Sequence, residues 1–119
     1  FPLLAGASGR CFAAWNSWPE DVLRAEFEKV RWQVPLSYHR WREQVDQARR
    51  SGIGIDDGHY RKGITTLAAP VFPEEGPLTR VIGALCISEQ ITSGRRRQLA
   101  QILKQAARRI SEDLRGSPI

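Results

Sequence analysis

Residues 54–71 constrain the fold more than any other stretch. They run Gly54, Ile55, Asp56, Asp57 and Gly58, then a polar His59-Tyr60-Arg61-Lys62-Gly63 connection, then the mostly apolar residues 64–71. That order predicts a short strand ending in a paired acid, a glycine-bounded connection and a longer strand. A carboxylate where a strand leaves a core is costly without a partner. Asp56 or Asp57 is therefore expected to meet a donor, from the backbone or from a ligand.

Two further strands complete the expectation. After the short strand at 53–56 come longer ones at 64–72 and 80–88, joined by the turn Pro73-Glu74-Glu75-Gly76-Pro77. Pro70 has no ladder donor, so its position requires an edge or a bulge. Alternation places Val81, Gly83, Leu85 and Ile87 on one face of the last strand, with Ile82, Ala84, Cys86 and Ser88 on the other. A hairpin centred on Gly76 sets Thr66 opposite Cys86. Thr66, Cys86 and Ser88 would then share one face, with Asp56 at the neighbouring strand end. Small, weakly polar side chains there leave room for a modest pocket.

Four helices surround these strands, which makes the expected class α+β. The first, 5–16, is rich in Ala5, Gly6, Ala7, Ser8, Gly9, Ala13 and Ala14. Glycines weaken a helix, so they imply close backbone approach, to a neighbouring strand or to an anion on the free N–H groups. The second helix starts near Pro19, carries Glu20 and Asp21 in its first turn, and buries Leu23, Phe27 and Val30. The third runs from Ser37 as N-cap to Arg50, stopped by Gly52, with Tyr38, Trp41, Val45 and Ala48 on its core face. The last opens at Thr92 or Ser93 and is expected to bury Leu99, Ile102, Leu103, Ala106, Ile110 and Leu114.

Bulk properties narrow the function. A chain of 119 residues is one domain with a real core. No apolar run approaches the ~20 residues of a membrane span, and no signal-peptide pattern opens the chain. With no methionine and a start at Phe1, the chain is expected to be part of a longer or processed product. Net charge is +5, and Arg95-Arg96-Arg97 is its densest cluster. That cluster reads as a solvated helix face or a phosphate or partner contact. Three cations in a helix's first turn oppose the macrodipole, so a nearby acid would suit them.

Catalytic and metal chemistry find little support. Cys11 and Cys86 are expected to be reduced thiols of a cytosolic protein rather than a disulfide. Neither cysteine stands at a recognisable spacing from His39 or His59, and the four residues form no chelating pattern. No catalytic residue, metal site or cofactor is assigned. Tyr60, Arg61 and Lys62 are read either as a solvated turn or as a cover for the pocket mouth, with Arg61 able to meet an acidic ligand.

The chain as a whole resembles the C-terminal effector-binding domain of the isocitrate-lyase-regulator (IclR) family of bacterial transcription factors. The likeness is carried by Pro2-Leu3, Ala7-Ser8-Gly9-Arg10, Pro19-Glu20, the segment 49–56, Gly63 and Ala68-Ala69-Pro70-Val71. Val81-Ile82-Gly83-Ala84-Leu85-Cys86-Ile87-Ser88 and Ala106-Ala107-Arg108-Arg109-Ile110-Ser111 complete it. It implies a GAF-like curved antiparallel sheet flanked by helices, lacking its leading strands, and a site for a small organic or aromatic acid. The implied effector-binding residues are the amides of Ala7 and Ser8, which grip a carboxylate, Asp56, which orients the ligand, and Thr66, Cys86 and Ser88. Gly58-His59 replaces the family's usual acidic pair after Asp56, and Thr66 and Leu4 stand at variable positions, so the effector itself stays open.

The resemblance further implies a homo-oligomer, no membrane, and DNA contact only through an N-terminal winged helix-turn-helix outside this sequence. A sheet without its leading strands leaves an unpaired edge through which the chain is expected to associate. Two other classes remain beside the sensor: a GAF-like thiol-dependent enzyme, and a dimerisation module without a ligand. The sensor reading needs Thr66, Cys86 and Ser88 on one face of the sheet, beneath Ala7 and Ser8.

Overall fold

The computed structural model describes residues 2–116. In chain order it contains α1 (Gly6–Trp15), α2 (Glu20–Glu28), α3 (Tyr38–Ser51), β1 (Gly54–Asp57), β2 (Ile64–Val71), β3 (Arg80–Ile87) and α4 (Ser93–Gly116), with a 3-10 turn at Ser88–Gln90. The strands form one antiparallel sheet in the order β1-β2-β3. This is the α+β architecture expected from the sequence.

Local chemistry fixes the helix ends. Ser37 accepts from the Arg40 N–H at 3.1 Å, and Gly52 closes α3 by donating to the Ala48 carbonyl. Thr92 accepts from the Arg95 N–H at 3.1 Å and so caps α4. Leu23, Phe27 and Val30 of the α2 region meet Trp41, Val45 and Ala48 of α3 in one buried cluster that also takes Leu4 and Ala5. The aromatic stripes of α2 and α3 are therefore core.

The sheet has two unlike faces. α1 lies on one and α4 on the other, where Leu67, Ala69 and Val71 pack with Leu103 and Ala107. Pro70 sits opposite Val81. Ser88 donates to the Gly63 carbonyl, which sets the phase of the ladder: even-numbered residues of β2 turn their backbone toward β1. Pairing with β1 ends at Gly54 opposite Ala68, so Pro70 lies beyond the last pair, and its missing N–H leaves no ladder bond broken.

Two expectations need correction. The β2–β3 register pairs Thr65 with Cys86 and Thr66 with Leu85, one residue away from a hairpin centred on Gly76. Because side chains alternate, that single step moves Cys86 and Ser88 to the face opposite Thr66. In α4 the sheet-facing row is Leu99, Ala100, Leu103, Ala107 and Ser111, whereas Ile102, Ile110 and Leu114 are exposed. The helix carries two adjacent rows with an i, i+4 step, and only one of them reaches the sheet.

Candidate functional site

A cavity of about 440 Å³ lies between the start of α1, the β1–β2 connection and the α1-side face of the sheet. Its floor is Thr66, Ala68, Val81, Gly83 and Leu85, and its roof is residues 5–8. The volume falls in the range of small-molecule sites, and the lining is mostly apolar. Asp56 and Arg61 are the charged residues among those that line it.

Asp56 organises the walls. Its Oδ2 accepts from Arg10 Nη1 at 3.1 Å, and both side chains are buried. Its Oδ1 accepts from the N–H groups of His59 (2.8 Å) and Tyr60 (3.2 Å). The strand-end acid thus meets both side-chain and backbone donors. Arg10 also donates to the Gly6 carbonyl at 2.9 Å and, through Nε and Nη2, to Gln44 Oε1 of α3. Its guanidinium lies 5.6 Å from the centre of the Trp32 ring. Burial pulls the Arg10 guanidinium below its ordinary pKa, while Asp56 opposes that shift. One ion pair therefore holds together the start of α1, the end of β1 and α3.

That pairing removes an electrostatic difficulty. An unpaired Asp56 beside a bound carboxylate would repel it. With Arg10 against it, the buried pair is formally neutral, and the cation facing the cavity is Arg61. Among the described residues no carboxylate forms an ion pair with Arg61, whose guanidinium lies 4.4 Å from the centre of the Tyr60 ring.

The connection that carries Tyr60 and Arg61 is tied down. Val34 donates to the His59 carbonyl at 3.0 Å, and the Lys62 N–H donates to Gln33 Oε1 at 2.8 Å. Of the three residues read as a pocket cover, Tyr60 and Arg61 line the cavity and Lys62 does not. The second acid, Asp57, turns to the other face and pairs with Arg96 at 3.1 Å. Burial would raise the Asp57 carboxyl, but hydrogen bonds from Arg96 and Thr65 outweigh it and leave the group below its usual range. The arginine cluster therefore has the acidic neighbour that its place in the helix calls for.

The six sequence-derived site residues divide in two. Ala7, Ser8, Asp56 and Thr66 all line the cavity. Ala7 donates its N–H to Thr66 Oγ1 at 3.3 Å, and Ser8 Oγ donates to the Ala5 carbonyl at 3.4 Å. Cys86 and Ser88 are elsewhere. Cys86 packs with the α4-side cluster, and Ser88 Oγ lies 2.8 Å from Thr65 Oγ1. Their places in the floor are taken by Gly83 and Leu85, for the register reason given above, so the requirement that Thr66, Cys86 and Ser88 share one face fails and the cavity keeps only Thr66 of the three. Arg10 is the functional residue that sequence reasoning misses. Its signal was an arginine one helical turn from Gly6 with small or apolar neighbours at Cys11, Ala13 and Ala14.

The thiols differ sharply. Cys11 Sγ donates to the Ala68 carbonyl at 3.2 Å, and burial pushes its pKa up to about 12. At pH 8 a thiol alkylating reagent is expected to label half-buried Cys86 and to spare Cys11 until the protein unfolds. Peptide mass spectrometry of native and urea-treated samples reads this directly; equal labelling of both in the native protein would contradict it. His39 pairs with Glu43 on the α3 surface, and His59 Nδ1 lies 3.3 Å from the Val34 carbonyl.

A family model described as the C-terminal domain of the bacterial transcriptional regulator IclR matches residues 1–112. The chain belongs to the IclR family. C-terminal domains of its homologues are effector-binding domains of transcriptional regulators. The fold agrees. An IclR-type regulator from Alicyclobacillus acidocaldarius superposes with a TM-score of 0.81 at 22% identity, over 96% of this chain and 46% of that one. The C-terminal domain of the E. coli regulator KdgR gives 0.76 at 24% identity, covering 95% and 71%. The inducer-binding domain of Acinetobacter PobR, solved as a double mutant with 3-hydroxybenzoic acid, gives 0.75 at 17%, covering 93% and 68%. The chain spans about half the length of the longer solved regulators it matches. A comparison with curated proteins returned no significant match. No helix among the described residues is long and apolar enough to cross a membrane.

Proposed function

We propose that residues 1–119 form the effector-binding domain of a longer bacterial transcriptional regulator, and that the α1-side cavity binds a small organic anion. The observation that carries this reading is the combination of an apolar cavity of about 440 Å³, a charge-paired Asp56 and an Arg61 without an acidic partner among the described residues. The ligand's apolar body lies over Val81, Gly83 and Leu85, and its anionic group meets Arg61 and the Ser8 amide. A ligand hydroxyl fits Thr66 Oγ1, which already accepts from Ala7. The complex of PobR with 3-hydroxybenzoic acid supports an aromatic or similar compact acid.

In the intact regulator, ligand binding shifts the population between arrangements of a cytoplasmic homo-oligomer whose DNA contacts lie in another domain. This reading gives the domain no catalytic role; Cys11, held as a buried thiol, is poorly placed to act as a nucleophile.

A panel of hydroxylated and plain aromatic acids, each with its neutral amide, tests the reading by thermal shift and calorimetry. A cognate acid at a hundredfold excess over its Kd is expected to stabilise the fold by about 2.7 kcal/mol. Arg61→Ala should weaken the acid by roughly tenfold, in line with one charge-assisted hydrogen bond, and leave the amide unchanged. Stabilisation by no member of the panel, or equal loss for acid and amide, would remove the assignment.

A further inference from the structure

We infer that a second small-molecule site, for a flat organic acid with two anionic groups, lies at the far end of β2, between the ends of α1 and α3 and the second half of α4. The cavity there has a volume of about 310 Å³, within the range of ligand sites. None of its lining residues lines the first cavity. The inference goes beyond the ligand assigned to that cavity and does not rest on it.

The chain builds this site in a gap of the sheet. Pairing of β1 with β2 ends at Gly54 opposite Ala68, so Ala69 and Pro70 have no strand beside them on the β1 side. Gly52, which closes α3, borders the gap instead. The end of β2 is fastened to α4 through buried Ser111. The Phe72 N–H donates to Ser111 Oγ at 3.1 Å, and that hydroxyl donates to the Ala107 carbonyl at 2.8 Å. The Phe72 ring then meets Trp15 of α1 edge to face, with centroids 5.7 Å apart. One half of the site is therefore aromatic and apolar.

The other half is cationic. Lys104, Arg108 and Arg115 line it from one face of α4, and Glu112 is the acid among the lining residues. Among the described residues none of the three cations forms an ion pair. Lys104 donates to the Ser51 carbonyl at 3.2 Å, which accounts for its place. The helix dipole accounts for Arg115 in the last turn, but it fades within a turn and does not reach Arg108. The imbalance is a property of the whole helix. With seven basic and two acidic residues, α4 has an excess of five, equal to the chain's net charge of +5.

These halves select an amphipathic anion. A flat ring lies against Trp15 and Phe72, and its anionic groups meet Arg108 and Arg115. Guanidinium groups bind carboxylates through paired hydrogen bonds. A cleft of one charge sign with apolar walls concentrates its field on such a ligand. Two anionic groups engage both arginines, one engages a single arginine, and a neutral ring gains only the apolar contact.

The indole N–H resonance of Trp15 in the nitrogen-15 spectrum of the 119-residue chain reads the site directly. The probes are isophthalate, benzoate and benzamide, carrying two, one and no negative charges. Isophthalate should move the Trp15 signal with a Kd of about 1 mM or tighter, benzoate several-fold more weakly, and benzamide least. Arg108→Gln, at an exposed position and checked by an unchanged thermal melt, should weaken isophthalate by roughly tenfold. Arg61→Ala, which acts at the first cavity, should leave the Trp15 response intact. A Trp15 signal unmoved by isophthalate up to about 10 mM overturns the inference, as does an equal response to benzamide. So does a response that survives both Arg108→Gln and Arg115→Gln, or one that Arg61→Ala abolishes.

Discussion

Asp56→Ala is expected to lower the unfolding free energy by about 3–5 kcal/mol, the cost of leaving one partner of a buried ion pair unmatched. The loss has two sources. Arg10 stays fully buried among Gly6, Gln44 and Trp32 with its counter-charge removed. The N–H groups of His59 and Tyr60 lose their shared acceptor, which loosens the connection that brings Arg61 to the cavity. Urea unfolding followed by tryptophan fluorescence measures the change. A double substitution, Arg10→Met with Asp56→Leu, should recover much of it, because apolar replacement of a whole buried pair is often close to neutral. A loss under 1 kcal/mol for Asp56→Ala would mean that the pair does not hold the walls together.

This prediction separates architecture from ligand contact at a position where the sequence suggested contact. Asp56 lines the cavity, yet its carboxylate is already committed to three donors. Its replacement should therefore act first on the fold and only through the fold on binding. Arg61 offers the opposite case: exposed, without an acidic partner among the described residues and on a strapped loop, it should act on binding alone.

The helices could be read from the sequence because their chemistry is local. Ser37, Gly52 and Thr92 cap or stop helices through groups within four residues of themselves. The β2–β3 register could not be read in the same way. Both rows of β3 are apolar, Val81, Leu85 and Ile87 on one side and Ile82, Ala84 and Cys86 on the other. The hydrophobic pattern therefore does not choose between registers, and only the turn remained to decide. Gly76 is not the centre of the 72–79 connection, so a hairpin symmetric about it sets Thr66 opposite Cys86, whereas its partner is Leu85. The same ambiguity hid the working row of α4, where Ile102 and Leu103 are equally apolar neighbours and only the sheet distinguishes them. Arg10 lay beyond pattern reading for another reason. Its partners are 34 and 46 residues away, and composition alone gives no sign that an arginine has found them.

Gly9→Ala should be more damaging still, with a loss above about 4 kcal/mol or no folded protein at all. The glycine-rich start of α1 pointed to close approach, either to a strand or to an anion. At Gly9 the neighbour is the chain's own lead-in. A Cβ there would stand 2.2 Å from both C and O of Leu4 and 2.5 Å from its Cα. These are backbone atoms and cannot rotate aside. Relief requires residues 2–5 to lift from α1, which would pull Leu4 and Ala5 out of the core and open the cavity roof. Gly6 offers the informative comparison. Its φ of 68° lies in the left-handed region, but a Cβ would meet only Thr66 Oγ1 at 3.8 Å. Gly6→Ala should thus cost roughly 1–2 kcal/mol, the strain of a left-handed alanine. Paired urea titrations decide the matter. The expected order is Gly9 far above Gly6; a Gly9→Ala protein within about 1 kcal/mol of the parent would show that the lead-in does not form the roof of the site.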